Sequence, residues 1–165
     1  MNNSLLIGLI LLLVLGGGYY YWGQRGDSPT SQVSDPLSQG VGTKLDLSNQ
    51  GLTQVPGSTF NNTNLEELDL SHNALSGALQ AEVRHLQNLR VLDLSNNNFT
   101  GVPAEVGQLQ KLERLDLSNN QLTGLPYEIG NLQNLKVLNI SGNDYSALDL
   151  AEIQKKLPAT VEIIK

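Results

Sequence analysis

The chain has 165 residues, no cysteine, two histidines and a formal net charge of −6 at pH 7, with a pI near 4.7. Its length allows one domain and a tail. The acidic balance argues against a nucleic-acid partner, and the missing cysteine excludes both disulfide-bonded caps and a lipid-modified cysteine anchor.

The first predicted element is a membrane anchor in residues 1–22. The stretch from Leu5 to Trp22 spans 18 residues without a charge, long enough at ~1.5 Å per residue to cross most of a hydrocarbon core. Its terminal aromatic residues are typical of a membrane interface. A cleaved signal peptide is the alternative, but the segment lacks a basic start and a small-residue cleavage site. We therefore expect a single-pass membrane protein with one N-terminal transmembrane helix.

The side of the membrane on which the rest of the chain lies is left open by the sequence. Arg25 follows the apolar stretch, and the positive-inside rule then favours a cytoplasmic position. Asp27 lies beside it, so an extracytoplasmic position stays an alternative. Residues 23–42 are rich in Gly, Ser, Gln, Pro and Asp without a hydrophobic period, which predicts a flexible linker.

Residues 43–165 are dominated by one repeated pattern, L-x-x-L-x-L-x-x-N. The second leucines of successive copies, starting from a partial copy at Leu45, are separated by 23, 24, 23 and 23 residues. Alternation within L-x-L predicts a short strand buried on one face. Tandem repetition predicts an α/β solenoid of about five coils, whose stacking buries one continuous core.

The last position of each full copy is occupied by asparagine, at Asn73, Asn97, Asn120 and Asn143. A buried amide at the end of a strand can bond backbone groups of its own coil and of the neighbouring coil. We therefore assign this asparagine ladder a structural role.

Apolar residues that follow each strand are also expected to point inward, among them Leu79, Val102, Leu125 and Leu148. Residues 149–165 break the repeat and are interpreted as a C-terminal cap. Within them the pattern predicts a helix from Asp149 to Leu157 and, after Pro158, an edge strand at Thr160–Lys165.

The repeated unit resembles the leucine-rich repeat family, with one full copy running from Leu112 to Asn134. Its second half, L-T-G-L-P-x-E-I-G-x-L, is similar to that of short bacterial and intracellular members. The resemblance implies a horseshoe arc with a parallel β-sheet on its concave side and a role in binding. It does not name a ligand.

Residues beside the strand leucines form columns on the predicted concave face and are the candidate binding residues. The two columns at the strand ends are Asp46, Asp69, Asp93, Asp116 and Asn139, and Ser71, Ser95 and Ser118. Two flanking columns are Glu67, Val91, Arg114 and Val137, and Arg90, Glu113 and Lys136. Aspartates on strands ~4.8 Å apart repel one another unless hydrogen-bonded, with the serines as candidate donors, and they could attract a basic peptide or cations. The alternative is that Asp and Ser are ordinary at these positions in the family.

These observations predict a membrane-tethered module that binds a protein or peptide through the concave face and adjacent loops. The alternative is an outward-facing adhesion or structural protein of the cell envelope that binds glycan or matrix. An enzyme is not expected, because the two histidines lack partners at catalytic or metal-binding spacing, and no phosphate-binding loop or nucleophile elbow occurs. No cofactor or metal is expected either.

Overall fold

The fold is described from a computed structural model, which describes residues 42–165. The predicted anchor at residues 1–22 and the predicted linker up to residue 41 lie outside the described residues. Within the described part, no helix combines the length and apolar character needed to cross a membrane.

Six short strands form one parallel sheet along one side of residues 42–165. In spatial order they are β1 (Lys44–Asp46), β2 (Glu67–Asp69), β4 (Val91–Asp93), β6 (Arg114–Asp116), β7 (Val137–Asn139) and β8 (Glu162–Ile164). The middle residues lie in one register row: Leu45, Leu68, Leu92, Leu115, Leu138 and Ile163. The predicted solenoid with a parallel sheet is confirmed, and β8 supplies the predicted edge strand.

The opposite side of the first four coils carries a short 3-10 helix, and the last coil carries an α-helix instead. The 3-10 helices lie at Gly57–Asn61, Ala81–His85, Ala104–Gln108 and Tyr127–Asn131. A second sheet of two parallel strands, β3 (Ser76–Ala78) and β5 (Asn98–Gly101), links two coils on the flank. Its register shifts between Gly77 and Ala78, within the segment that makes one repeat 24 residues long rather than 23. The irregular step is therefore absorbed outside the main sheet.

The core consists of leucine rows that run through the whole stack. Leu68, Leu92, Leu115 and Leu138 are at most 1% exposed, and their repeat equivalents behind the sheet are buried as well. At about 25 cal/mol per Å² of apolar surface, a fully buried leucine contributes roughly 1.5–3 kcal/mol. Because each coil lies against the next, this stabilisation requires neighbours and cannot be obtained by one repeat alone.

The asparagine ladder connects the coils through hydrogen bonds. The amide nitrogen of Asn97 donates to the carbonyl oxygens of Leu94 and Ser95 in its own coil and of Leu70 in the preceding coil, at 2.9–3.2 Å. Its side-chain oxygen accepts from the backbone N–H of Leu75 at 3.1 Å. Asn73, Asn120 and Asn143 repeat this arrangement. These bonds join the chain that follows β2, β4, β6 and β7 to the preceding coil, so that successive coils stack in register.

The C-terminal segment departs from the sequence prediction in three details, one of which is that the helix ends at Gln154 rather than at the predicted Leu157. Helix α1 spans Ala147–Gln154, beginning two residues before the predicted start, because the Ser146 side chain accepts a hydrogen bond from the Asp149 N–H as an N-cap. The prediction that Leu148 points inward is wrong, since this residue is 79% exposed. The early helical turn directs Leu148 to the surface, and Leu150 and Ile153 are the helix residues that are buried.

Candidate binding face on the parallel sheet

The outer face of the sheet carries the residues that alternate with the buried strand leucines. In β2, β4 and β7 the middle residue is buried, whereas the first and third are half-buried. Pairing aligns Glu67, Val91, Arg114 and Val137 in one column, and Asp46, Asp69, Asp93, Asp116 and Asn139 in a second. We call the exposed side of these columns the sheet face.

The aspartate column lies at the carboxyl ends of the strands and is held by the serine column. One carboxylate oxygen of each aspartate accepts the backbone N–H of the serine two residues later: Ser48, Ser71, Ser95 and Ser118, at 2.9–3.1 Å. The sequence suggested the serines as donors, and in all four pairs the backbone group donates. The Ser118 hydroxyl adds a bond of 2.6 Å to Asp116. These bonds offset part of the repulsion between like charges in the column.

The four aspartates differ in how far their charge is neutralised. Asp116 is buried, and its second oxygen accepts from the Arg114 guanidinium at 3.0 Å and the Asn139 amide at 3.1 Å. Asp46, Asp69 and Asp93 form no salt bridge within residues 42–165. The N–H and hydroxyl of Ser48 hold the pKa of Asp46 below its ordinary value. The negative character of the column is therefore concentrated on β1, β2 and β4.

The column formed by the first residue of each strand contains both charged and apolar side chains. Lys44 and Glu67 form a salt bridge of 2.7 Å between two exposed side chains. Val91 and Val137 are half-buried and supply apolar surface between the charged rows. Val91 lies on the same strand as Asp93, so an apolar contact and an unneutralised carboxylate adjoin on β4.

Arg90, Glu113 and Lys136 lie at the amino ends of the strands, opposite the aspartate column, and form one ion cluster. Glu113 accepts from Arg90 Nε at 2.7 Å on one oxygen and from Lys136 Nζ at 2.5 Å on the other. The Lys136 and Arg90 hydrogen bonds lower the pKa of Glu113, and the Glu113 carboxylate raises that of Arg90. Lys111 and Asn134 complete a cleft of about 310 Å³ around the three side chains.

A further row next to the serines was not foreseen from the sequence. Asn49, His72, Asn96 and Asn119 all adopt left-handed backbone conformations with φ of 53–57°, and Gly142 takes the equivalent place at 67°. The Asn119 amide donates to the Asn96 side-chain oxygen at 3.0 Å. The available signal was the recurrence of Asn or Gly just before the ladder asparagine, since these residues tolerate this conformation best.

Within residues 42–165, His85, Tyr127 and Tyr145 lie outside the sheet columns, whereas His72 belongs to the row next to the serines. His72 and His85 are exposed. Tyr127 is 49% exposed, and its hydroxyl donates to Asp149 at 3.2 Å, which raises the pKa of the phenol. Tyr145 is partly buried against the core.

Known proteins with similar sequences and folds include plant and bacterial members of one family. Over 59 residues the chain is 52% identical to Receptor-like protein 41 of Arabidopsis thaliana, a match covering 35% of this chain and 7% of that protein. A leucine-rich repeat protein of Leptospira interrogans superposes with a TM-score of 0.59 at 35% identity, covering 74% of this chain and 36% of that one. The plant peptide hormone receptor RGFR1, solved in complex with RGF2, gives a TM-score of 0.60 at 35% identity. The match covers 73% of this chain and 21% of the receptor chain.

The chain thus spans only a fraction of the length of these relatives, from 7% of the plant receptor-like protein to 36% of the Leptospira protein. A family model described as leucine rich repeat matches residues 43–99 and 87–144, which together cover more than half of the chain. With the in-register strands and the asparagine ladder, this match shows that the chain belongs to the leucine-rich repeat family.

Proposed function

We propose that this protein is a membrane-tethered interaction module that binds a protein or peptide through the sheet face and adjacent loops. The observation that carries the proposal is the alignment of Asp46, Asp69 and Asp93, three carboxylates without a salt bridge in the described residues, on adjacent strands. Their carboxylates are held in position by backbone hydrogen bonds, so these three side chains lose little conformational freedom on binding.

The partner that fits this surface is a basic peptide segment. The three carboxylates span two strand spacings, roughly 10 Å, which an extended peptide covers in about three residues. Lysine or arginine side chains of such a segment would form charge-assisted hydrogen bonds with the second oxygens of Asp69 and Asp93. Val91 would contact the aliphatic parts of the same side chains.

Similar solved structures support a protein-binding role. They include RGFR1 in complex with RGF2 and a structure named PEPR1-AtPEP1, which resembles this chain with a TM-score of 0.57 at 29% identity. The repeat solenoid offers an extended surface assembled from many coils, and it serves as an interaction scaffold in most of its uses. Catalysis is not part of the proposal, because within residues 42–165 the imidazole of His72 contacts the Asn96 amide and no hydrogen bond joins a histidine ring to a serine hydroxyl of the sheet face.

Selection of peptides from a random display library against the purified full-length chain tests the proposal. We expect enrichment of peptides with two or more lysines or arginines. The double change Asp69→Asn and Asp93→Asn should weaken the selected peptide about tenfold or more, since each exposed charge-assisted contact contributes roughly 1 kcal/mol. Asparagine retains the oxygen that accepts the serine N–H, so the turn geometry is preserved.

The matched control is the double change Asp144→Asn and Glu82→Gln, which removes two negative charges at exposed residues outside the strands. It should leave the affinity of the selected peptide unchanged. If both double changes weakened binding equally, the effect would come from net charge alone and the sheet face would lose its assignment.

The membrane tether in this proposal comes from residues 5–22, whose 18 uncharged residues suit a membrane span. The positive-inside rule applied to Arg25 gives a cytoplasmic domain as the working topology. Protease added to intact cells tests it, with protection of the repeats as the expected result. Release of a fragment beginning within residues 23–42 would place the domain outside and favour envelope adhesion. Recovery of the domain from the medium without protease would contradict the tether.

A further inference from the structure

The ion cluster at the amino ends of the strands carries more positive than negative charge. Repeats of 23 residues bring Arg90, Glu113 and Lys136 side by side, and the column two residues earlier places Asn88, Lys111 and Asn134 beside them. Arg90, Lys111 and Lys136 are three cations, and Glu113 is the one carboxylate in the lining of the cleft, so its net charge is +2. This value is opposite in sign to the net charge of −6 of the whole chain.

Each of the cations keeps donors that the cluster itself does not use. Lys111 Nζ is held by a neutral partner, the Asn88 side-chain oxygen at 2.7 Å, so its charge is not neutralised there. Lys136 uses one of its three ammonium donors on Glu113. Arg90 is half-exposed, and its Nε and Nη2 both point to the same oxygen of Glu113, which leaves Nη1 available. The cleft of about 310 Å³ between these groups is large enough for a small anion.

We propose that the cleft lined by Arg90, Lys111, Glu113 and Lys136 binds a divalent tetrahedral oxyanion, a phosphate or sulfate group. A phosphate monoester carries about −1.5 to −2 charges at pH 7, which matches the net charge of the cleft, and its three terminal oxygens can accept from all three cations. A carboxylate carries one charge and two oxygens, so it would satisfy the cleft only in part.

The inference rests on the proposed function, because the oxyanion would be carried by the bound peptide. Arg90, which directly precedes β4, and Asp93, the last residue of β4, lie three residues apart, or about 10 Å along an extended chain. A peptide that crosses the aspartate column as proposed above could turn along β4 at Asp93, which would place a lysine on the aspartate column and a phosphate, about three residues away, on the basic cleft. The sheet face thus has two oppositely charged ends that favour one orientation of the peptide.

Titration of the full-length chain with phenyl phosphate, followed by NMR at low ionic strength, tests the cleft without any peptide. We expect saturable shifts at Arg90, Lys111 and Lys136, with benzoate binding at least fivefold more weakly. Changing Lys136→Gln should weaken phenyl phosphate about tenfold, whereas Glu113→Gln should strengthen it several-fold by removing the competing carboxylate. Opposite signs in two variants of one cluster cannot arise from a general loss of folding.

The matched control is Lys155→Gln, which removes a lysine from an exposed pair with Glu152 on the C-terminal cap and should leave phenyl phosphate binding unchanged. A second arm compares inorganic phosphate with a phosphoserine peptide that has a lysine three residues away, and the peptide should bind more tightly. Absence of saturable shifts, equal binding of benzoate, or an equal effect of Lys155→Gln would each overturn the site. If phenyl phosphate bound as expected but no unphosphorylated basic peptide contacted Asp69, the oxyanion site would stand and the proposed function would fail.

Discussion

The side-chain oxygen of Asn120 accepts a hydrogen bond from the backbone N–H of Phe99, one coil earlier, at 3.0 Å. The same side chain donates to the carbonyl oxygens of Leu94, Leu117 and Ser118 at 2.9–3.2 Å. One buried amide therefore satisfies four backbone groups in two coils, which no apolar side chain of similar size can do. These bonds join the end of β6 to the preceding coil, and the candidate binding residues lie on strands that the ladder connects in this way.

We predict that Asn120→Ala lowers the free energy of unfolding by about 3 kcal/mol or more, because buried backbone groups lose their partners. Urea denaturation of the full-length chain, followed by circular dichroism, measures the loss. The control is Asn131→Ala, which removes an exposed amide at the end of a 3-10 turn and should cost less than about 0.5 kcal/mol. Equal losses for the two variants would contradict the role of the ladder.

A second prediction concerns Gly107, where the 3-10 segments of neighbouring coils pack closely against each other. A Cβ atom built there would lie 2.6 Å from both the carbonyl carbon and the Cβ of Glu128 in the next coil, and closer still to its carbonyl oxygen. The neighbouring backbone must move, so Gly107→Ala should destabilise the fold by about 1–3 kcal/mol. Gly57→Ala is the matched control, since its Cβ would meet nothing within 4 Å. A Gly107→Ala variant as stable as this control would show that the coils can separate freely.

A third prediction concerns the pH dependence of Glu113. Its pKa lies below the ordinary value of 4.5 because Lys136 and Arg90 donate hydrogen bonds to the carboxylate. The folded state therefore gains stability from the charged form above the ordinary pKa, and this gain is lost as the pH falls below 4.5 through the lowered value. An NMR titration of the Glu113 side-chain carbonyl carbon should give a pKa below 4.5 in the native chain.

In the same titration, Lys136→Gln should move the pKa of Glu113 upward, whereas Lys155→Gln on the C-terminal cap should leave it unchanged. Both cations that contact Glu113 are exposed, so added salt should weaken their effect and move the pKa of Glu113 toward the ordinary value. If the pKa of Glu113 changed neither in the Lys136→Gln variant nor on addition of salt, the ion cluster would not persist in solution.

The fold could be predicted in large part because the spacing of the repeats determines which residues pair between neighbouring strands. Residues one repeat apart pair across neighbouring strands, so Leu68, Leu92 and Leu115 were correctly aligned from their spacing alone. The early start of helix α1 was missed because Ser146 was not recognised as a cap, and Leu148 was placed inside for that reason. The second sheet of β3 and β5 was also missed, since β3 (Ser76–Ala78) shows no alternation of apolar and polar side chains, and β5 has no other recognisable strand beside it.

The columns of the candidate site could be predicted, but not the charge balance within them. Asp69 and Asp116 occupy the same position of the repeat. Only Asp116 is neutralised, because Arg114 and Asn139 donate hydrogen bonds to its carboxylate. The opposite signs of Arg90, Glu113 and Lys136, each 23 residues apart, were a signal of the ion cluster in the sequence. The contribution of Lys111 required the structure, because it depends on how two columns adjoin.

The most direct test of the central claim is to identify which side of the solenoid contacts a selected basic peptide. A photo-crosslinking amino acid placed at Val91 reports from the sheet face, and the same residue at Arg84 reports from the 3-10 side of the preceding coil. We predict that the peptide crosslinks at position 91 and not at position 84, and that excess unlabelled peptide abolishes the product. Crosslinking at position 84 without product at position 91 would contradict binding through the sheet face.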